Sequence, residues 1–218
     1  MVEKRFVGQD QAEVRVEEKT KGKPEIVGYA AVFYREDDPG TEYELWTDMR
    51  ERIMPGAFDR AIKEGDDARA LFNHDPNQIL GRRSAKTLAL DADDKGLLYR
   101  AMPPKTTTAS DVLANIEAGN LQGSSFAFQV TDQEFRTEND VDIREITGVR
   151  LYDVGPVTFP AYEATTTGVR SADDAAEART AYEAWVKEGK PQPKAVVPEP
   201  DPFMVKVNGW LENDFKGE

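Results

Sequence analysis

The chain has 218 residues, 39% hydrophobic and 32% charged, with 41 acidic against 28 basic residues and a formal net charge of −13. There is enough apolar material for one ordinary domain with an appendage, while the acidic field repels phosphate backbones, so nucleic acid is not an expected partner and basic protein surfaces are favoured. Cysteine is absent and histidine occurs once, at His74, which removes disulfides, cysteine nucleophiles and any zinc site of the Cys/His kind built within the chain.

Met1 to Gln11 is charged and lacks the apolar stretch of a signal peptide, and no apolar run approaches about 18 residues, so no membrane partner is expected. Val14 and Val16 alternate with Glu13, Arg15 and Glu17, which predicts a strand over 12–18. Lys19 to Pro24 is a turn, and Ile26 to Phe33 completes a hairpin. The acidic residues 35–52, with Pro39-Gly40, are expected as a surface loop. Pro55-Gly56-Ala57-Phe58 leads into a short helix over 57–64 that Gly65 closes. A strand over 68–74 is expected to end at His74. Lys86 to Asp91 and Leu97 to Met102 flank Asp93-Asp94-Lys95-Gly96, a hairpin turn. Thr108 to Ala118 is a helix capped by Ser110 or a nearby threonine, with Val112, Leu113 and Ile116 on its apolar face and Gly119 as its stop.

Gly123 to Thr131 is a strand, residues 132–140 are polar, and Asp142 to Phe159 holds one or two strands interrupted near Gly155-Pro156. About seven strands with few helices and no βαβ alternation predict a mainly β (α+β) fold, an antiparallel β-barrel with helices packed outside. Past Pro160 the character changes. Ser171 to Lys190 is an amphipathic helix with Asp173 and Asp174 in its first turn and Ala178, Tyr182, Trp185 and Val186 on one stripe. Pro191, Pro193, Pro198, Pro200 and Pro202 mark a linker, and Phe203 to Phe215 is a short apolar stretch suited to docking. The expected division is a domain over 1–170, a helix over 171–190, and a linker with terminal docking peptide over 191–218.

If the chain performs polar chemistry near neutral pH, His74 is the natural general base. Its client is then a hydroxyl, and Gly123-Ser124-Ser125-Phe126-Ala127-Phe128 offers two. In a strand Ser124 shares a face with Phe126 and Phe128, which must meet the core, and Ser125 points the other way among smaller and more polar neighbours. Ser125 is therefore the better nucleophile, reachable and with room beside it. Asp153 lies in the apolar run Leu151-Tyr152-Asp153-Val154, where an unpaired acid is costly. His74 is a sensible partner for it, as are Arg144 and Arg150, and Asp75 is a lesser alternative. Each residue also has a plain structural reading: an exposed histidine before proline, a hydrogen-bonded strand serine, an ion-paired acid.

Across Val27-Gly28-Tyr29-Ala30-Ala31-Val32-Phe33, Ile53-Met54-Pro55-Gly56-Ala57-Phe58, Leu71-Phe72-Asn73-His74-Asp75, Leu80-Gly81-Arg82, Gly119 to Phe128 and Leu151 to Ala161, the chain resembles the prohead (capsid maturation) proteases of tailed bacteriophages. These are distant relatives of the herpesvirus assembly protease, assemblin. The likeness runs from about Glu25 to Ala164. It implies a herpesvirus-protease-like barrel and a serine endopeptidase without cofactor, with catalytic His74, Ser125 and Asp153. The family acid at the last position is often Glu. Herpesvirus relatives use a second histidine there, which this chain cannot supply. The implied substrates and partners are phage scaffold and major capsid proteins and the enzyme itself, inside the immature prohead in the host cytoplasm. A homo-oligomer is a further expectation, since the herpesvirus relatives dimerise. Arg82 or Arg83 is a candidate aid to the oxyanion. Two other readings remain open at this point: a non-catalytic head or scaffold component with a degenerate protease fold, and a Ser–Lys peptidase using Lys86 or Lys105.

Overall fold

A computed structural model describes residues 2–19, 23–159, 167–168 and 175–193. The elements in chain order are β1 (Glu3–Val7), α1 (Gln9–Ala12), β2 (Arg15–Lys19), β3 (Lys23–Val32), β4 (Glu42–Trp46), β5 (Met49–Ile53), α2 (Asp59–Glu64), β6 (Arg69–Leu71), β7 (Ile79–Arg82), β8 (Leu88–Ala92), β9 (Gly96–Ala101), α3 (Thr107–Glu117), β10 (Gly123–Glu138), β11 (Val141–Val157), β12 (Thr167–Gly168) and α4 (Ala176–Lys187). The fold is mainly β with a few helices. An eight-stranded sheet runs in the order β10-β1-β12-β4-β5-β11-β6-β7, and a four-stranded sheet in the order β2-β3-β9-β8.

The expectation of about seven antiparallel strands in one barrel is corrected on three counts. The described residues form two sheets and twelve strands. Three pairings are parallel: β5 with β11, β6 with β11, and β12 with β4. The larger sheet curls, because β10 bonds to β1 along one edge and to β11 along the other. Bulges between Ala127 and Phe128 and around Asp132 bend the long β10–β11 hairpin, adding the local twist that a curled sheet requires.

Several elements follow from local pattern. The β2–β3 and β8–β9 hairpins form as the alternation and the Asp/Gly turn predict. Gly65 ends α2 at φ +83°, and Thr106 Oγ1 accepts from the Ala109 amide to start α3. Residues 35–52 are not a loop. They hold the β4–β5 hairpin, which buries Tyr43, Met49 and Ile53, and its acids are neutralised: Glu42 by Arg52, and Glu51 by Arg5 and Arg144. The charged N-terminus is likewise a strand, β1, with Phe6 and Val7 in the core. β6 stops at Leu71, so His74 lies in a turn beyond it. The polar residues 132–138 continue β10, and β11 passes through Gly155-Pro156 as one strand.

The main core lies between the sheets, around Phe58, Phe126 and Phe128. The last two rings stack at 4.7 Å. A second apolar cluster seats α4: Ala178 and Trp185 pack on Leu45, Met49 and Phe135. Val186, expected on the same stripe, is 40% exposed. The expected helix start at 171–174, most of the linker and the docking peptide lie outside the described residues. No helix among the described residues is long and apolar enough to cross a membrane.

Candidate active site

The pairing of β10 with β11 sets the geometry. Ser125 faces Gly155 and Ala127 faces Asp153 in antiparallel register, so Ser125 and Asp153 share one face of neighbouring strands, offset by two residues. Such diagonal neighbours are roughly 7–8 Å apart, beyond direct hydrogen bonding and within the span of one bridging imidazole. His74 fills that gap. Its Nδ1 lies 2.5 Å from Asp153 Oδ1 and its Nε2 lies 2.5 Å from Ser125 Oγ. With Nδ1–H donating to the carboxylate, Nε2 is the acceptor for the serine hydroxyl.

The histidine reaches this place through a strained turn. Asn73 and His74 both have left-handed backbones, at φ +54° and +60°, a conformation asparagine tolerates and histidine adopts at a cost of about 1–3 kcal/mol. The turn is fastened to the end of β11. The Asn73 amide donates to the Pro156 carbonyl, Asn73 Nδ2 donates to Thr158 Oγ1 at 2.9 Å, and the Thr158 amide donates to Asn73 Oδ1 at 2.9 Å. Phe6 on β1 meets the imidazole edge-on, with ring centroids 5.8 Å apart.

Gly155 is a further positioning residue. A Cβ there would lie 2.1 Å from the Leu71 carbonyl oxygen, and its φ is +154°. Only a hydrogen at this position lets β6, which leads to His74, lie against β11, which carries Asp153. The sequence marks Gly155 only as a strand interruption and gives Asn73 no role of its own. An Asn-His pair immediately after a short apolar strand was the available signal for a left-handed turn.

The two serines separate as the alternation predicts. Ser124 Oγ is 3.0 Å from the Tyr99 hydroxyl, a buried link between the sheets, and Ser125 lies on the His74 side. The expectation that Ser125 is reachable fails: both serines have no exposed surface. Ser125 Oγ is also within hydrogen-bond distance of the Arg5 carbonyl, at 2.8 Å. One hydroxyl proton therefore has two acceptors, His74 Nε2 and a backbone oxygen of β1.

The other candidates are occupied elsewhere. The Asp75 carboxylate accepts from Asn77 and Gln78 within its own turn. Arg144 belongs to a buried ion cluster and the Arg150 guanidinium lies over the Tyr152 ring. Arg82 pairs with Asp67, and Arg83 donates to the carbonyls of Ala61 and Ile62 at the end of α2. Lys86 sits in the turn before β8, and Lys105 lines a separate groove with Lys23. Among the described residues no group of three or more His, Cys, Asp or Glu side chains is placed to hold a metal ion.

Beneath the site lies that ion cluster, made by Glu3, Arg5, Glu51 and Arg144. Arg5 Nε donates to Glu51 at 2.6 Å and its Nη2 to Glu3 at 2.6 Å. Arg144 donates to Glu3 at 2.9 Å and to Glu51 at 2.8 Å. The exposure of all four side chains is 0–1%. Burial alone would raise the Glu3 pKa, but Arg5 and Arg144 more than reverse this and hold it below the usual carboxylate range. Burial opposes the charged form of Arg5 too, and Glu51 and Glu3 outweigh it.

Comparison with known proteins places this geometry in context. A family model described as caudovirus prohead serine protease matches residues 10–179. The solved structure of the bacteriophage T4 capsid assembly protease, gp21, aligns with a TM-score of 0.42 at 15% identity, covering 72% of this chain and 96% of that one. None of the curated proteins matches the chain.

Proposed function

This chain belongs to the caudovirus prohead serine protease family, and from that premise we propose that it is an endopeptidase whose catalytic residues are Ser125, His74 and Asp153. The observation that carries the reading is the unbroken line from Asp153 Oδ1 through the imidazole to Ser125 Oγ, with 2.5 Å at each link. Ser125 Oγ attacks the scissile carbonyl carbon as its proton passes to His74 Nε2. Asp153 holds the productive tautomer and stabilises the imidazolium. Collapse of the tetrahedral intermediate breaks the C–N bond, His74 returns the proton to the leaving amine, and water resolves the acyl-enzyme by the same steps in reverse. Backbone N–H donors stabilise the oxyanion. Because Ser125 is fully buried, the segments over it must open before a substrate carbonyl reaches Oγ.

By the same reading the substrates are phage scaffold and major capsid proteins together with the enzyme itself, within the immature head. The proposed catalytic domain spans 1–170. Residues 191–218 then serve as a proline-rich tether to scaffold that the enzyme can also cut. The test is incubation of the purified protein and of Ser125→Ala, with the termini mapped by mass spectrometry. The native chain is expected to lose part of its tail while Ser125→Ala stays intact. Equal fragmentation of the two, or none in either, overturns the reading in favour of a non-catalytic head component.

A further inference from the structure

A cavity of about 320 Å³ opens beside the proposed catalytic centre. Its floor is Phe72, Val112 and Leu121, and its rim includes Gln78, Asp111 and Thr158. Three of these residues are tied to the centre. Phe72 precedes the Asn73-His74 turn, Thr158 is fastened to Asn73 by two hydrogen bonds, and Leu121 stands just before β10, the strand of Ser125. Gly123 pairs with Val157, which places Leu121 and Thr158 together beyond the ends of the strands bearing Ser125 and Asp153. The volume is at the small end of the roughly 300–1,000 Å³ typical of ligand pockets and suits one side chain.

The polar lining offers neutral donors and acceptors from Thr108, Thr158 and the amides of Gln78, Asn115 and Asn120, together with one carboxylate, Asp111. Gln78 Nε2 donates to Asp75, which leaves its Oε1 open. Asn115 Nδ2 donates to the Asp111 backbone carbonyl, and Asn115 Oδ1 is taken by Asn120. Asp111 carries the single formal charge of the lining, and its carboxylate has no hydrogen-bond partner among the described residues. A carboxylate entering here meets Asp111 as a like charge, and an apolar side chain makes no use of that charge. A lysine or arginine lays its methylenes on Phe72, Val112 and Leu121 and brings its cationic head to Asp111 and Gln78 Oε1.

We propose that this cavity is a substrate subsite for a basic side chain close to the scissile bond, with Asp111 as its specificity-determining residue. The proposal rests on the peptidase reading, and its test separates the two. The Ser125→Ala protein is incubated with a randomised decapeptide library, and the retained fraction is sequenced. The expected result is one position enriched in Lys and Arg over Glu and Asp by about two- to fivefold, as for a partly exposed charge pair. Asp111→Asn should flatten that preference and Asp111→Lys should turn it towards Glu and Asp. Asp111 is exposed on α3, so thermal melts of these variants should match the parent. No basic enrichment, or enrichment indifferent to Asp111, overturns the subsite even if the native chain cleaves its tail. Basic enrichment that follows Asp111 in a chain that cuts nothing sustains the subsite and removes the peptidase.

Discussion

Two buried polar groups share the curled sheet, and one residue belongs to both. The backbone carbonyl of Arg5 is 2.8 Å from Ser125 Oγ, while its guanidinium joins the cluster of Glu3, Glu51 and Arg144. That cluster is closed: two cations meet two anions, each cation bonded to both anions, with essentially no solvent. The His74 group is open in a specific sense. The Ser125 hydroxyl has two acceptors for one proton, and the imidazole can hold a second proton against Asp153. A saturated network of this kind fixes strands in register. A network with one movable proton can do chemistry. The comparison teaches that burial and hydrogen bonding alone do not mark a catalytic site; the proposed one differs from the ion cluster in that its hydroxyl proton has a choice of acceptors.

Four substitutions would break or sharpen that contrast. The largest effect is expected from Asp153→Asn, which keeps the shape but favours the wrong imidazole tautomer. kcat/KM on a peptide from the chain's own tail should fall about 10⁴-fold, with a thermal melt close to the parent; a melt that collapses instead would make Asp153 structural.

Arg144→Met should act the opposite way, leaving the two acids of the cluster to share one cation, Arg5. A loss of roughly 3–5 kcal/mol in urea unfolding is expected, and replacing all four charged residues by apolar ones should cost less than the single change. If the single change is the milder one, the cluster is not the closed unit described above.

Gly155→Ala should touch both regimes, because its Cβ would press on the Leu71 carbonyl and spread β6 from β11. A stability loss of about 1–3 kcal/mol together with a fall in kcat is expected, and a fall in stability alone would separate Gly155 from the site.

The smallest effect concerns Asp142, which anchors α4. It accepts from the Tyr182 hydroxyl at 2.7 Å and from Lys190 Nζ at 2.6 Å. Burial would raise its pKa, but the hydrogen bonds from Lys190, Tyr182 and Thr137 prevail and hold it below the usual carboxylate range. A lowered folded-state pKa means that the stabilisation is present above the ordinary aspartate range, near pH 4, and is lost as the pH falls through the folded value. Trp185 fluorescence should report release of α4 on acidification, and Asp142→Asn should remove that transition at a cost of about 1 kcal/mol at neutral pH. An acid transition of unchanged size in Asp142→Asn would assign it to another carboxylate.

Much of the proposed site was legible because its residue types are scarce. With one histidine and no cysteine, His74 stands alone, and strand alternation distinguishes Ser125 from Ser124. The ion cluster was not legible. Glu3, Arg5 and Glu51 lie in charged segments that look solvated, and only the strands that pair around them make them interior. The β4–β5 hairpin was missed for the same reason, since its acids find their cations on other elements. The turn holding His74 was missed because its fasteners, Pro156 and Thr158, are remote in sequence.

The sequence by itself left His74 as the one imidazole available as a base, and determined the strand face of each serine and the local punctuation of α2, α3 and the β8–β9 hairpin, because scarcity, alternation and capping act over a few neighbouring residues; the peptidase class came from the family resemblance. Tertiary structure alone decided that Ser125 is sealed, that one imidazole spans the gap between Ser125 and Asp153, and that four charges share one dry interior. Those outcomes depend on the register between β10 and β11 and on pairings that join residues far apart along the chain, and no local pattern encodes which distant strand will supply the opposing charge.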